Sequence, residues 1–123
     1  MKRGMSPEKL HEIAQTILIR RGYDILEKDY QRGGAHIDFI VHDPEEDDIV
    51  FIDLNLGGTE AHSFAPEDLS QKTRDRFEKV MIAYVSENDV MYYGVRYDCL
   101  SMYGCNSETA CIRYHIDALR KAA

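Results

Sequence analysis

Ala35-His36-Ile37-Asp38-Phe39-Ile40-Val41, the acidic connector His42-Asp43-Pro44-Glu45-Glu46-Asp47-Asp48, and Ile49-Val50-Phe51-Ile52-Asp53-Leu54-Asn55-Leu56 together decide how this chain folds. Both apolar runs are rich in β-branched and aromatic residues, which suit a pleated, half-buried surface, and the connector cannot continue a strand. The stretch therefore reads as a β-hairpin. One acid interrupts each run, Asp38 in the first and Asp53 in the second. Side chains alternate faces along a strand, so His36 shares a face with Asp38, and Asp53 shares one with Asn55. Pairing that brings those faces together would gather two carboxylates, an imidazole and an amide. A carboxylate taken out of water without a partner is costly, so each acid implies a metal, a cation or a hydrogen-bond donor beside it.

Upstream of the hairpin, Ser6-Pro7-Glu8-Lys9 has the form of a helix start, with Ser6 as cap and Pro7 in the first turn. Leu10, Ile13, Ala14, Ile17 and Leu18 recur at helical spacing, and Arg20, Arg21 and Gly22 close the helix; His11 and Gln15 flank its apolar stripe. Tyr23 to Arg32 is apolar on neither face alone, as suits a strand at or near a sheet edge, and Gly33-Gly34 turns it into the hairpin.

Downstream, Gly57-Gly58-Thr59 opens a polar loop to about Pro66, long enough to be a functional element. Pro66-Glu67-Asp68 reads as a second helix start, with Leu69, Thr73, Phe77, Val80, Met81 and Tyr84 as its apolar stripe. Its other face carries Lys72, Arg74, Arg76 and Lys79, which suits either a solvated helix face or contact with phosphate. Strands follow at Met91 to Leu100 and Ala110 to Tyr114, then a short helix from Ile116 to Lys121. The order is α, β-β-β, α, β-β, α, which implies an α/β or α+β sandwich around a mixed sheet with helices on both faces.

With 123 residues the chain is expected to form a single domain over 1–123. Its 44% hydrophobic and 30% charged residues suit a globular fold, and a net charge of −7 argues against strong binding to a phosphate backbone except through a local basic patch. No apolar run approaches the roughly 18 residues of a membrane span, and Met1 to Pro7 lacks the apolar core of a signal peptide, so a cytoplasmic location without membrane contact is expected. Cys99, Cys105 and Cys111 contain no C-x-x-C pair and are expected to be reduced thiols.

The succession Ala14, Leu18, Gly22-Tyr23, Ile25-Leu26, Ile37-Asp38-Phe39-Ile40, Val50-Phe51-Ile52-Asp53, Lys72 and Arg96-Tyr97-Asp98 resembles the bacterial endonuclease-like family called UPF0102 or YraN. That family belongs to the PD-(D/E)xK superfamily and is related in fold to archaeal Holliday-junction resolvases. The resemblance spans about Leu10 to Leu119 and implies a restriction-endonuclease-like three-layer sandwich, with a mixed central sheet of about five strands flanked by helices. It also implies metal-dependent cleavage of nucleic acid, with Mg2+ or Mn2+ as cofactor and branched or single-stranded DNA as candidate partner. The family's Gly-Glu-Ile-Asp is here Ala35-His36-Ile37-Asp38, and its Glu-Val-Lys is Asp53-Leu54-Asn55, followed by Gly57 where an Arg is usual nearby. A glutamate frequent on the first helix falls at His11. Asp38 is kept, Asp53 is a methylene shorter, and the lysine position is Asn55.

Hydrolysis of a phosphodiester needs a cation that polarises the phosphoryl oxygen and acidifies a bound water; the resemblance gives its ligands as Asp38, Asp53 and the carbonyl of Leu54. The missing lysine would have oriented the water and stabilised developing charge. Asn55 can hold a water but neither takes its proton nor offers charge, and loss of such a group costs about 10² to 10⁴ in rate. Lys72 or His36 could stand in for it if either reached the same cleft. Together His11, His36, Asp38 and Asp53 would form a nitrogen-and-oxygen set better suited to Mn2+, Zn2+ or Fe2+ than to Mg2+. Three functions remain open: a nuclease-like protein with weak or no cleavage, a catalytically silent nucleic-acid or protein interaction module, and an acidic partner of a basic protein.

Overall fold

In the computed structural model, which describes residues 6–56, 70–90, 93–104 and 110–117, the hairpin is formed by the second and third of five strands. The elements run α1 (Pro7–Arg20), β1 (Asp24–Arg32), β2 (Ala35–Asp43), β3 (Asp48–Leu56), α2 (Gln71–Glu87), β4 (Gly94–Gly104) and β5 (Ala110–His115). The strands lie in one sheet in sequence order. β1, β2 and β3 are an antiparallel meander, β4 joins β3 in parallel after α2, and β5 returns antiparallel to β4. The acidic connector turns because Asp43 folds back on it: Oδ1 accepts the amides of Glu45 (3.0 Å) and Glu46 (3.4 Å).

α1 begins as its sequence dictates, with the Ser6 hydroxyl accepting from the Lys9 amide at 3.1 Å and Pro7 in the first turn. Its stripe of Leu10, Ala14 and Leu18 packs on Phe39, Val41, Val50, Ile52, Leu100 and Met102. On the other face of the sheet, Val80, Met81, Tyr84 and Val85 of α2 pack on Ile37, Ile40, Ile49, Phe51, Tyr97 and Cys99. The result is a three-layer sandwich whose central strands are apolar on both sides because both sides are covered. No helix among the described residues is long and apolar enough to cross a membrane.

Several boundaries differ from the sequence reading. α2 starts at Gln71 and is capped by Ser70, which accepts from the Thr73 amide at 3.1 Å. A hydroxyl cap one turn further on thus opens the described helix, while Pro66-Glu67-Asp68, Leu69 and the loop from Gly57 lie outside the described residues. Arg74 is buried rather than part of the solvated face, because it precedes Phe77, Met81 and Tyr84 on the inward stripe. β4 begins at Gly94, three residues later than Met91. The chain forms a turn at Ile116 and Asp117 where a last helix is expected, and the rest of that segment is outside the described residues. Cys111 is disulfide-bonded, against the expectation of three reduced thiols; Cys99 is a free, buried thiol.

Candidate metal centre

The β2–β3 ladder runs from Asp43 opposite Asp48 to Phe39 opposite Ile52, and Asp38 and Asp53 come next, where it ends. At the same point the alternation of β2 breaks. Ile37 and Ile40, three residues apart, pack on the α2 side, and Phe39 packs on the α1 side. Asp38 sits at the break and belongs to neither core; its side chain is 17% exposed. The amide of Leu54, beyond the end of the ladder, donates to Oδ2 of Asp38 at 2.7 Å. Leu54 therefore joins the site through its N–H, in addition to any role of its carbonyl.

Three residues expected at the site come together. His36, Asp38 and Asp53 each offer a ligand atom, and those atoms all lie within 4.8 Å of one another. His11 reaches the same place from α1, with its ring 4.9 Å from that of Phe39, and forms a second triad with Asp38 and Asp29. Asn55, half-buried, follows two residues after Asp53 on the same face of β3. Lys72 is exposed in the first turn of α2, and among the described residues no hydrogen bond or ion pair joins it to either carboxylate. Of the expected basic patch, Lys72, Arg76 and Lys79 are exposed and share one side of α2 by their spacing; Arg74 is not available to a ligand in solution.

Two participants escape the sequence reading. Asp29 has a φ of 53°, a left-handed backbone inside a strand, and its Oδ1 lies 3.4 Å from Nε2 of His36. Tyr97, stacked on Phe77 with ring centroids 4.8 Å apart, donates its hydroxyl to Oδ2 of Asp53 at 2.7 Å. The parallel register explains Tyr97: Asp53 lies beside Cys99, so the residue two before Cys99 shares its face and reaches the acid.

Burial pushes the Asp53 carboxyl up from about 3.8 to about 6; the Tyr97 hydroxyl counters this, and the charge of Asp38 adds to the rise. The fold thus favours the uncharged form. The ionised group costs stability above about pH 6, and that cost is relieved as pH falls from 6 towards 4. Tyr97→Phe removes a donor to the charged form, so the Asp53 pKa is expected to rise further. Carboxyl-carbon NMR titration reads it directly, and an unchanged or lower value would contradict the role given to Tyr97. Cys99 is no nucleophile here, since burial and then the charges of Asp53 and Asp38 push its thiol up to about 12.

Among the described residues no lysine or arginine forms an ion pair with Asp38 or Asp53. A cavity of about 460 Å3 lined by Gln31, Arg32, Gly33, Gly34, Ala35 and His36 adjoins the centre at His36, which belongs to both.

A different set of charges occupies the α1 side of the sheet. Arg96 donates to both oxygens of Asp98 (2.9 and 3.0 Å) and to the Tyr23 hydroxyl (2.9 Å), and it reaches Asp43 and Asp48 at 3.4 Å each. Asp98, fully buried, also accepts from the Tyr114 hydroxyl (2.7 Å) and the Asp117 amide (2.8 Å). In Arg96-Tyr97-Asp98 the outer two residues thus tie strands together while the middle one serves the centre.

Comparison with known proteins gives a consistent outcome. The model of a family described as "Uncharacterised protein family UPF0102" matches residues 11–102. A UPF0102 protein of Carboxydothermus hydrogenoformans is 28% identical over 102 residues, 83% of this chain and 85% of that protein. One from Fusobacterium nucleatum is 28% identical over 88 residues, 72% of each chain. Another, from Clostridioides difficile, is 27% identical over 92 residues, 75% of this chain and 79% of the relative.

Proposed function

Because the chain belongs to the uncharacterised protein family UPF0102, we propose that it is a cytoplasmic, nuclease-like protein. It binds nucleic acid and keeps a degenerate metal-dependent phosphodiesterase site. The observation that carries this reading is the convergence of ligand atoms of His36, Asp38 and Asp53 within 4.8 Å at the open end of the hairpin, beside a cavity and, among the described residues, without a lysine or arginine paired to either acid. The Leu54 amide and the Tyr97 hydroxyl give each acid one donor, and a cation would supply the charge that neither donor carries.

In this reading Asp38 and Asp53, with the carbonyl of Leu54, hold Mg2+ or Mn2+, and such a cation would polarise a phosphoryl oxygen and acidify a water. His36, with Nδ1 3.8 Å from Oδ1 of Asp38, would be the group to take a proton from that water. Asn55 holds the water by hydrogen bonds only, which keeps turnover slow. Lys72, Arg76 and Lys79 offer a phosphate-binding stripe on α2. The second reading, a catalytically silent interaction module of the same fold, is favoured by Asn55 itself and by the net charge of −7.

Purified protein incubated with branched and single-stranded DNA across divalent cations distinguishes the two. Slow, Mn2+-supported nicking that disappears in Asp38→Ala is expected. Binding without nicking selects the silent module, and robust Mg2+-dependent cleavage that survives Asp38→Ala removes the assignment.

A further inference from the structure

We infer that Asn55, Ser101 and Arg113 form a seat for a phosphate group, laid across β3, β4 and β5 beyond the acid pair. The inference deepens the reading above and rests on it for the source of the phosphate, a nucleic-acid strand. Its place follows from the sheet alone.

Register and alternation bring the three residues together. Asn55 of β3 is the partner of Ser101 of β4, and Ser101 is in turn the partner of Arg113 of β5, so they stand in one row across three neighbouring strands. Leu54 and Leu56, Leu100 and Met102, and Tyr114 pack on the α1 side, so the residues between or beside them face the other way, towards the α2 side. Directly opposed side chains on such a face are about 5 Å apart, close enough for neighbours to share one small anion. Two residues earlier on β3 and β4 lie Asp53 and Cys99, on the same face and about 7 Å back along the strands. That step is comparable with the separation of neighbouring phosphates in an extended single strand. A strand with one phosphate at the acids would therefore bring the next over this row.

Ser101 carries a separate sign of a ligand. It is 4% exposed, and among the described residues its Oγ has no hydrogen-bond partner. The Cys99 thiol, which the Ser101 hydroxyl favours in its charged form, is a weak partner. An unmatched buried hydroxyl costs stability, and an oxyanion that accepted its proton would relieve that cost. Contact with the hydroxyl requires neighbouring side chains to shift, and the exposed Arg113 is one that can.

Arg113 supplies the charge. Among the described residues it forms no ion pair, so its guanidinium is uncommitted in a chain of net charge −7. The planar fork of an arginine matches the oxygens of a phosphate, and the half-buried Asn55 amide adds a neutral donor at the other end of the row. Hydroxyl, guanidinium and amide make a row of donors without a carboxylate, the reverse of the acid pair beside it.

NMR titration of the isotope-labelled full chain with inorganic phosphate tests the place. Resonances of Asn55, Ser101 and Arg113 are expected to shift together and to saturate, and chloride at matched ionic strength should not reproduce this. Anisotropy of a fluorescent single-stranded DNA oligonucleotide tests the source. Arg113→Gln is expected to weaken its binding about tenfold and to lower the slope of log K against log salt by about 0.7. Arg113→Lys should recover the slope and only part of the affinity. Ser101→Ala should weaken binding several-fold yet melt no lower than the wild type, since it removes an unmatched hydroxyl from the interior; a serine that served packing alone would leave binding unchanged. Phosphate that shifts none of the three residues overturns the seat, as does oligonucleotide binding with affinity and salt slope unchanged in Arg113→Gln. Phosphate bound at the row without any binding of the oligonucleotide upholds the seat and removes nucleic acid as its source, so failure of the reading above shows separately.

Discussion

Asn55→Lys is expected to raise Mn2+-dependent cleavage of single-stranded or branched DNA by about 10²-fold or more over the wild type. Asn55 lies two residues beyond Asp53 on the same face of β3, half-buried, at the mouth of the hairpin where Asp38, Asp53 and His36 meet. A lysine there brings a positive charge and a mobile donor to the place where a water would attack and an oxyanion would form. Its alkyl stem can lie along the strand while the ammonium reaches the carboxylates, so little packing is lost. Gel-based nicking assays on wild type, Asn55→Lys and Asn55→Gln make the comparison; the glutamine variant lengthens the side chain without adding charge and should gain nothing. The double change Asn55→Lys with Asp38→Ala should return activity to background. Equal, negligible rates for folded wild type and Asn55→Lys would falsify the degenerate-nuclease reading.

Arg96→Ala is expected to cost about 3–5 kcal/mol of folding stability, enough to unfold many domains of this size. The guanidinium serves four partners at once, and the fully buried Asp98 depends on it for its only cationic contact among the described residues. Removing the cation leaves a carboxylate in the protein interior held, among the described residues, by the Tyr114 hydroxyl and the Asp117 amide. Urea denaturation followed by circular dichroism gives the magnitude. Arg96→Lys should recover little, since an ammonium cannot make the paired contact with both oxygens of Asp98. A loss under about 1 kcal/mol in Arg96→Ala would mean the cluster is worth no more than a surface ion pair.

The hairpin, both described helices and the succession of five strands along the chain were legible because each rests on a short-range signal: period-two or helical spacing of apolar residues, a Ser-Pro start, an acidic turn. The pairing of Asp38 with Asp53 was legible for a related reason, since both lie at the same depth of one hairpin. Arg74 misled because its charge outweighed its position; spacing from Phe77 and Met81 already placed it inward. Asp29 and Tyr97 could not be read. Tyr97 meets Asp53 through a parallel register set after a helical crossover, and Asp29 turns to His36 through a backbone conformation that its sequence neighbours do not demand. The role of Arg96 likewise follows from groups 48 to 53 residues earlier in the chain coming to its side.

The left-handed turn of Asp29 has an effect on the outside of the molecule as well. β1 is an outermost strand, and its register with β2 already slips between Ile25 and Glu27. An incoming strand would need a flat, evenly spaced row of amides and carbonyls along that border, and the slip followed by Asp29 leaves none long enough, with Glu27 and Lys28 adding charge. The bend that aims a carboxylate at His36 thereby also denies other chains a template for sheet extension, so a straightened β1 would forfeit ligand geometry and invite fibril-like stacking in the same stroke.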